Sequence, residues 1–338
     1  MPHGSLPLVL GNCTPTRNLW TATALYATNL NTCRVDPADL VRAHSGAMRW
    51  AAIHAAGVSW RQLAAAVSAG ALVHAGWGTY ALPTAGRALV AAVCANGYLC
   101  RASAAAAWNL DLLRRPDRPQ VLVADNSTIQ LPGVSLHRVP RRELVDTVRR
   151  PWPVTTLERT LIDCARTLPF PEALAIVDSA LCTGRITSDK VRKLAQSVRG
   201  PGAVTARRAL VAGDGRADSV GESATRAAAL DAGLPPPELQ YEIRFGPTEF
   251  AAHTDLAWRW YRGREVKLAV EFDGLGPHGT RTALIRDRWR RNKIEKSGWG
   301  LLEIIMDDVL GRYDATGQMI KDTLERRWRD AGRREGSE

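Results

Sequence analysis

The stretch Leu268-Ala-Val-Glu-Phe-Asp-Gly274 places two acids, Glu271 and Asp273, two residues apart within an apolar run. Side chains alternate along a strand with period two, so a strand here sets Val266, Leu268, Val270 and Phe272 on one face. Lys267, Ala269, Glu271 and Asp273 then share the other face. Two carboxylates side by side repel, and such a pair calls for a cation between them. Residues 250–258 also read as a strand, and Trp260-Tyr-Arg-Gly-Arg264 supplies a glycine-containing connection, which predicts an antiparallel hairpin turning near Arg262-Gly263. In that register Asp255 lies roughly opposite Val270 and diagonal to Glu271. Together with the carbonyl of Phe272 these acids form an oxygen-only ligand set suited to Mg²⁺ or Mn²⁺, and no matching Cys/His cluster points to zinc. The alternative is a solvated polar sheet face that merely tolerates acids.

Sequence on either side adds two features. Ser219-Val-Gly-Glu222 reads as a capping box at the start of a helix, with Arg226 one turn beyond Glu222. Glu222 is thus both a structural cap and a candidate fourth acid of the site. Downstream, residues 281–296 hold seven Arg or Lys residues against Asp287 and Glu295. On a helix Arg286, Arg290 and Lys293 share a face by the i, i+4, i+7 rule, while Ile285 and Trp289 are expected to pack inward. Such a basic face suits the phosphates of a nucleic-acid backbone.

These residues resemble a known family. Asp255-Leu-Ala-Trp258, Leu268 to Gly274, His278, Arg286-Asp-Arg288, Asn292 and Gly298-Trp-Gly-Leu-Leu302 occur in the order found in the nuclease domain of very short patch repair (Vsr) endonucleases, within the PD-(D/E)xK superfamily. The resemblance covers roughly Ser219 to Leu310. It implies an α/β sandwich with a mixed sheet, a metal held by Asp255 and Glu271, and hydrolysis of a phosphodiester. Asp273 or His278 would then position the attacking water or accept its proton. One departure stands out: the position two after Glu271, lysine in the superfamily's name, is Asp273 here. Lys267, Lys293 or His278 are the candidates to replace that cation.

The chain has 338 residues, enough for two or three domains, and a formal net charge of +11 that favours an anionic partner such as DNA. No apolar run reaches membrane-spanning length. Cys13, Cys33, Cys94, Cys100, Cys164 and Cys182 are scattered without CxxC pairs, which predicts reduced thiols in the cytoplasm. Residues 1–35 form an irregular leader with few charges, and no basic region precedes Leu6-Pro-Leu-Val-Leu10 as a signal peptide would require.

Residues 36–85 read as a winged helix-turn-helix. Pro37 stands near a helix start, Ser59 caps a second helix that ends near Gly70, and residues 72–82 fold back around Gly76-Trp-Gly78. No Asp or Glu falls between Asp39 and Asp111, whereas Arg42, Arg49, Arg61, Arg87 and Arg101 do. On the mostly alanine second helix, Arg61 and Gln62 are the residues able to read base edges. Gly70-Ala-Leu-Val73, Gly78-Thr-Tyr-Ala-Leu82, Ala102 to Trp108 and Pro153 to Ala165 resemble the AbiEi-type antitoxins of type IV toxin–antitoxin systems. That resemblance implies a DNA-binding autorepressor lobe but does not by itself imply a toxin partner; an antitoxin paired with a toxin is a separate, third reading. Residues 86–198 read as a mixed α/β middle domain, 199–218 as a linker with a connecting helix at residues 203–212, 219–332 as the nuclease-like domain and 333–338 as a tail. The expected fold class is therefore multi-domain α/β. Its expected function is a DNA-binding protein with a metal-dependent nuclease domain, or alternatively an antitoxin-like regulator whose nuclease fold is inactive.

Overall fold

A computed structural model describes residues 35–144, 147–148, 153–245, 251–274 and 281–335. These residues form a multi-domain α/β chain with thirteen α-helices and three sheets among them. Among the described residues no helix is long and apolar enough to cross a membrane.

The first unit contains α1 (Pro37–Ala43), β1 (Ala47–Arg49), α2 (Trp50–Ala55), α3 (Trp60–Ser68), β2 (Val73–Gly76) and β3 (Thr79–Ala81). Asp36 starts α1 by accepting the amides of Ala38 and Asp39 at 2.8 and 2.9 Å. Ser59 and Gln62 close a full capping box on α3. The helices bury Val41, Ile53 and Leu63, with Leu72 of the following turn, against Tyr80 of the sheet, whose strand order is β1-β3-β2. The expected order of helix, helix and hairpin lacks two members. The segment read as one helical stretch splits into α1, β1 and α2. With three residues β1 has no pattern of its own, and its existence depends on pairing Ala47 with Ala81 and Arg49 with Thr79.

The middle unit runs through α4 (Arg87–Cys94), β4 (Tyr98–Leu99), α5 (Arg101–Ala107), β5 (Gln120–Ala124), β6 (Ser135–Val139), β7 (Thr147–Val148), β8 (Val154–Thr155), α6 (Leu157–Thr167), α7 (Phe170–Cys182), α8 (Ser188–Ser197) and α9 (Ala203–Ala212). Its sheet has the order β6-β5-β4-β8-β7. Thr156 caps α6, and Arg159 meets Asp163 one turn on at 3.2 Å. Cys94, Cys100 and Cys164 are buried free thiols, and burial pushes Cys100 up to about 12. The connecting helix predicted for residues 203–212 is α9. It is no spacer, however: Ala206, Ala209 and Leu210 lie in one apolar core with Leu161, Leu174, Val191 and Ala227. The glycines that flank α9 signal turns, and turns bound packed helices as readily as linkers.

The last unit is a mixed four-stranded sheet between helices. Its elements are α10 (Val220–Asp231), β9 (Glu238–Arg244), β10 (Ala251–Tyr261), β11 (Arg264–Asp273), α11 (Arg281–Lys296), β12 (Gly300–Ile305), α12 (Met306–Gly311) and α13 (Tyr313–Glu335). Strand order is β12-β11-β10-β9, antiparallel except where β12 runs parallel to β11 after the α11 crossover. The predicted alternation is observed. Val266, Leu268, Val270 and Phe272 face α10 and α13, while Ala269 faces Ile294 of α11.

Middle and last units are joined by a buried ion pair. Asp178 of α7 accepts both Nη2 contacts of Arg226 at 2.8 and 2.6 Å, the Ser223 hydroxyl at 2.7 Å and the Asp214 amide at 2.8 Å. Arg226 is therefore engaged across the chain by Asp178 instead of serving Glu222 one turn away. Arg226 also donates to the Ala212 carbonyl at 2.6 Å.

Candidate active site

The site is built where β10 and β11 run side by side below the start of α10. The hairpin turns at Arg262 and Gly263, both at positive φ, with Tyr261 paired to Arg264. Between Trp260↔Glu265 and Trp258↔Leu268 the ladder shifts, because Val266 and Lys267 together oppose Arg259. Lys267, at φ +49°, is the extra residue of this bulge. Beyond it Val270 pairs with Leu256, not with Asp255, so the expected register is corrected by one position. The bulge brings Asp255 level with Glu271, closer than the diagonal placement that the sequence suggested.

Asp255 is partly buried, and its Oδ2 accepts the Phe272 amide at 2.7 Å. Its carboxyl is pushed up to about 7, first by burial and then by the negative charge of Glu222, with Glu271 adding to it; the Phe272 amide and Arg290 oppose the shift. Glu222 is buried at the first turn of α10, where its own amide donates to Ser219 Oγ at 3.1 Å. Its Oε2 accepts the Asp218 amide and Gln240 Nε2, each at 3.0 Å. The carboxylate thus reaches one residue further back than the Ser219 amide expected of a capping box. Burial raises its pKa, against the bonds that hold it.

Glu271 is buried on the α11 face, and Arg290 grips it with both nitrogens: Nη1 to Oε1 and Nη2 to Oε2, each 2.6 Å. The arginine read as a phosphate contact is bound to the carboxylate read as a metal ligand. Asp273 is exposed at the end of β11. The other candidates for the missing cation are occupied elsewhere: Lys267 lies 3.3 Å from Glu265, and Lys293 Nζ sits over the rings of Trp289 at 4.0 Å and Phe245 at 5.6 Å. Trp289, expected to pack inward, is 56% exposed; among the described side chains of α11 Ile294 enters the core, and that of Ile285 lies outside the described residues. A helix lying on a sheet buries a narrow stripe, and this stripe passes through Ile294. His278 and the side chain of Arg286 lie outside the described residues.

The acids are oxygen donors only, and the raised Asp255 carboxyl marks a place short of positive charge, so the donor set fits a hard divalent cation. As described, the acids are spread and partly engaged: among the described residues no group of three or more His, Cys, Asp or Glu is gathered tightly enough to hold a metal ion. In the first unit Arg61 is exposed, whereas Gln62 turns back to cap its own helix, with Oε1 accepting from Ser59 N at 2.9 Å and Ser59 Oγ at 2.7 Å. Gln62 is accordingly withdrawn from base reading.

No family model matches the chain. It is 36% identical over 151 residues to two curated proteins of Mycobacterium tuberculosis, "Uncharacterized protein MT2308" of strain CDC 1551 / Oshkosh and "Uncharacterized protein Rv2248" of strain ATCC 25618 / H37Rv. The match takes in 44% of this chain and 54% of each relative, so the chain spans about half the length of the curated relatives it matches. Among solved structures, the crystal structure of the RV2827C protein from M. tuberculosis aligns over 61% of this chain and 86% of its own, with 20% identity and a TM-score of 0.31. So loose a likeness carries no argument.

Two members of the site lie beyond the sequence pattern. Gln240 sits at φ +50° within β9, a backbone state costly for a non-glycine residue, and from there supports Glu222. Arg290 was legible as a cation but not as the partner of Glu271. Gly221 is a third position of consequence, because a Cβ there would fall 2.1 Å from the Phe272 ring. Gly221→Ala is expected to destabilise the protein by about 1–3 kcal/mol by overpacking and to displace Phe272, whose amide holds Asp255. Denaturant unfolding with unchanged midpoint would refute that account of the glycine.

Proposed function

We propose that the last unit is a metal-dependent phosphodiester hydrolase of the PD-(D/E)xK kind, within a protein that binds DNA. The observation that carries the reading is electrostatic: the charges of Glu222 and Glu271 add to burial in pushing the Asp255 carboxyl up to about 7. The mixed sheet with one parallel strand after a helical crossover supports it. Mg²⁺ or Mn²⁺, held by Asp255 and Glu271 with the Phe272 carbonyl, would polarise the scissile phosphate and acidify bound water. The chain's own residues prepare that place. Gln240 and the Asp218 amide fix Glu222, the Phe272 amide orients Asp255, and Arg290 brings to Glu271 the positive charge that Asp273 lacks in the lysine position. Asp273 at the strand end and His278 beyond it are the groups to position water or accept its proton.

A second reading has its own observation. Arg290 engages both oxygens of Glu271, which suits a regulator that keeps the nuclease fold as a binding platform. Its partner would be DNA at the winged unit. Incubation with labelled single- and double-stranded DNA and RNA, with Mg²⁺ or Mn²⁺, separates the two. The hydrolase reading expects metal-dependent cleavage that falls at least about a hundredfold in Glu271→Ala. Equal background from both proteins would sink the hydrolase reading, and the platform reading expects protection of the protein's own upstream DNA that is lost when residues 38–85 are removed.

A further inference from the structure

The face presented by α3 is poorly equipped to read a duplex. Gln62 is committed to the helix cap, and Ala64, Ala65 and Ser68 supply the neighbouring exposed positions. Arg61 is left as the one long polar side chain of the helix able to address base edges. What the surface does offer is aromatic. Trp60, the first residue of α3, is 60% exposed. It stands edge-on to Trp50, with centroids 5.3 Å apart and planes at 83°, and edge-on to Tyr80 at 6.4 Å and 80°. Trp50 is itself stacked on His54 at 5.1 Å. The indole is thus propped from two sides, so it loses little freedom when a ligand lands on it.

Packing does not account for this ring. Trp60 rests on Trp50 and Tyr80 at the edge of the core yet keeps 60% of its surface exposed, more than packing requires. A second ring, Trp77 in the β2–β3 turn, is 50% exposed, and Arg49 Nη2 donates to its carbonyl at 3.3 Å. The surrounding charge is one-sided. Arg42 is neutralised by Asp39, but no acid follows before Asp111, while Arg49 and Arg61 remain beside the exposed rings in sequence. Exposed aromatic rings with arginines beside them complement a polyanion whose bases are unstacked, since every base has a face to stack while the backbone meets the arginines.

We propose that the winged unit carries a stacking platform for single-stranded nucleic acid centred on Trp60. The proposal rests on the nucleic-acid-binding reading above but not on hydrolysis, and its test is run without divalent cations so that the two can fail separately. Fluorescence polarisation is measured with labelled oligothymidylate, oligouridylate and a duplex of equal length (about 20 nucleotides), using the full chain, Trp60→Ala and Trp60→Phe. The wild-type chain is expected to bind the single strands more tightly than the duplex. Trp60→Ala should weaken that binding about tenfold, within the range of one lost base stack, and Trp60→Phe should restore most of it. The two single strands separate DNA from RNA as the source of the bases, and binding of either one in this pattern supports the platform. A melting temperature unchanged in Trp60→Ala excludes unfolding as the cause, as expected for an exposed ring. Preference for the duplex, or single-strand binding that Trp60→Ala leaves intact, would overturn it.

Discussion

Asp255→Asn is expected to melt several degrees higher than the natural protein at pH 8 and at nearly the same temperature near pH 4. The Asp255 carboxyl titrates at about 7 in the folded chain, against about 4 for an unfolded aspartate. The folded state therefore holds this proton more tightly than the unfolded state does. Below pH 4 both forms are protonated and the site adds no penalty. As pH rises from 4 to 7 the unfolded chain loses its proton first, and each unit costs about 1.4 kcal/mol, to a ceiling of about 4 kcal/mol above pH 7. Asparagine keeps an oxygen for the Phe272 amide but carries no charge to be buried beside Glu222 and Glu271. The check is a set of thermal melts from pH 4 to pH 8.5, and parallel curves for the two proteins would sink the idea. Glu222, also raised, leaves a residual slope of the same sign in the variant. Mg²⁺ should recover stability in the natural protein at pH 8 more than in Asp255→Asn, because a ligand stabilises only the state that binds it.

The second large effect is expected at the junction of the middle and last units. Removing Arg226 leaves the Asp178 carboxylate, whose side chain is 1% exposed, with hydrogen bonds from Ser223 and Asp214 but no positive charge. Burial already raises the Asp178 pKa, and Arg226 is the main influence against it. Arg226→Ala is expected to cost about 3–5 kcal/mol in denaturant unfolding, as broken buried pairs do. Replacing both partners with apolar residues of similar volume, Arg226→Met with Asp178→Leu, should recover much of that loss, because no buried charge then remains. A loss below about 1 kcal/mol for Arg226→Ala would mean that water reaches Asp178 once the arginine is gone.

The strand alternation at residues 266–273 was legible because a period of two survives any register. Helix starts were legible where a residue signals them, as Pro37, Ser59 and Ser219 do. The register was not. Lys267 carries no turn signal, yet it is the residue that bulges and moves Asp255 level with Glu271. Charge pairing follows the chain only within one helical turn, where Arg159 meets Asp163, while Arg226 and Arg290 choose Asp178 and Glu271 from distant parts of the chain. For Trp289 the helical period allowed an inward position, and the line along which α11 meets the sheet gave that position to Ile294.

The sequence by itself determined the mixed α/β class, the order of the main elements and the acids that occupy one strand face, since these depend on local periodicity and capping. Tertiary structure decided which of those acids meet and what neutralises them. A bulge of one residue set Asp255 beside Glu271, and the approach of α11 placed Arg290 on Glu271. Electrostatic partners depend on distances through space, and a pattern along the chain carries no record of those distances until the sheet and its helices have packed.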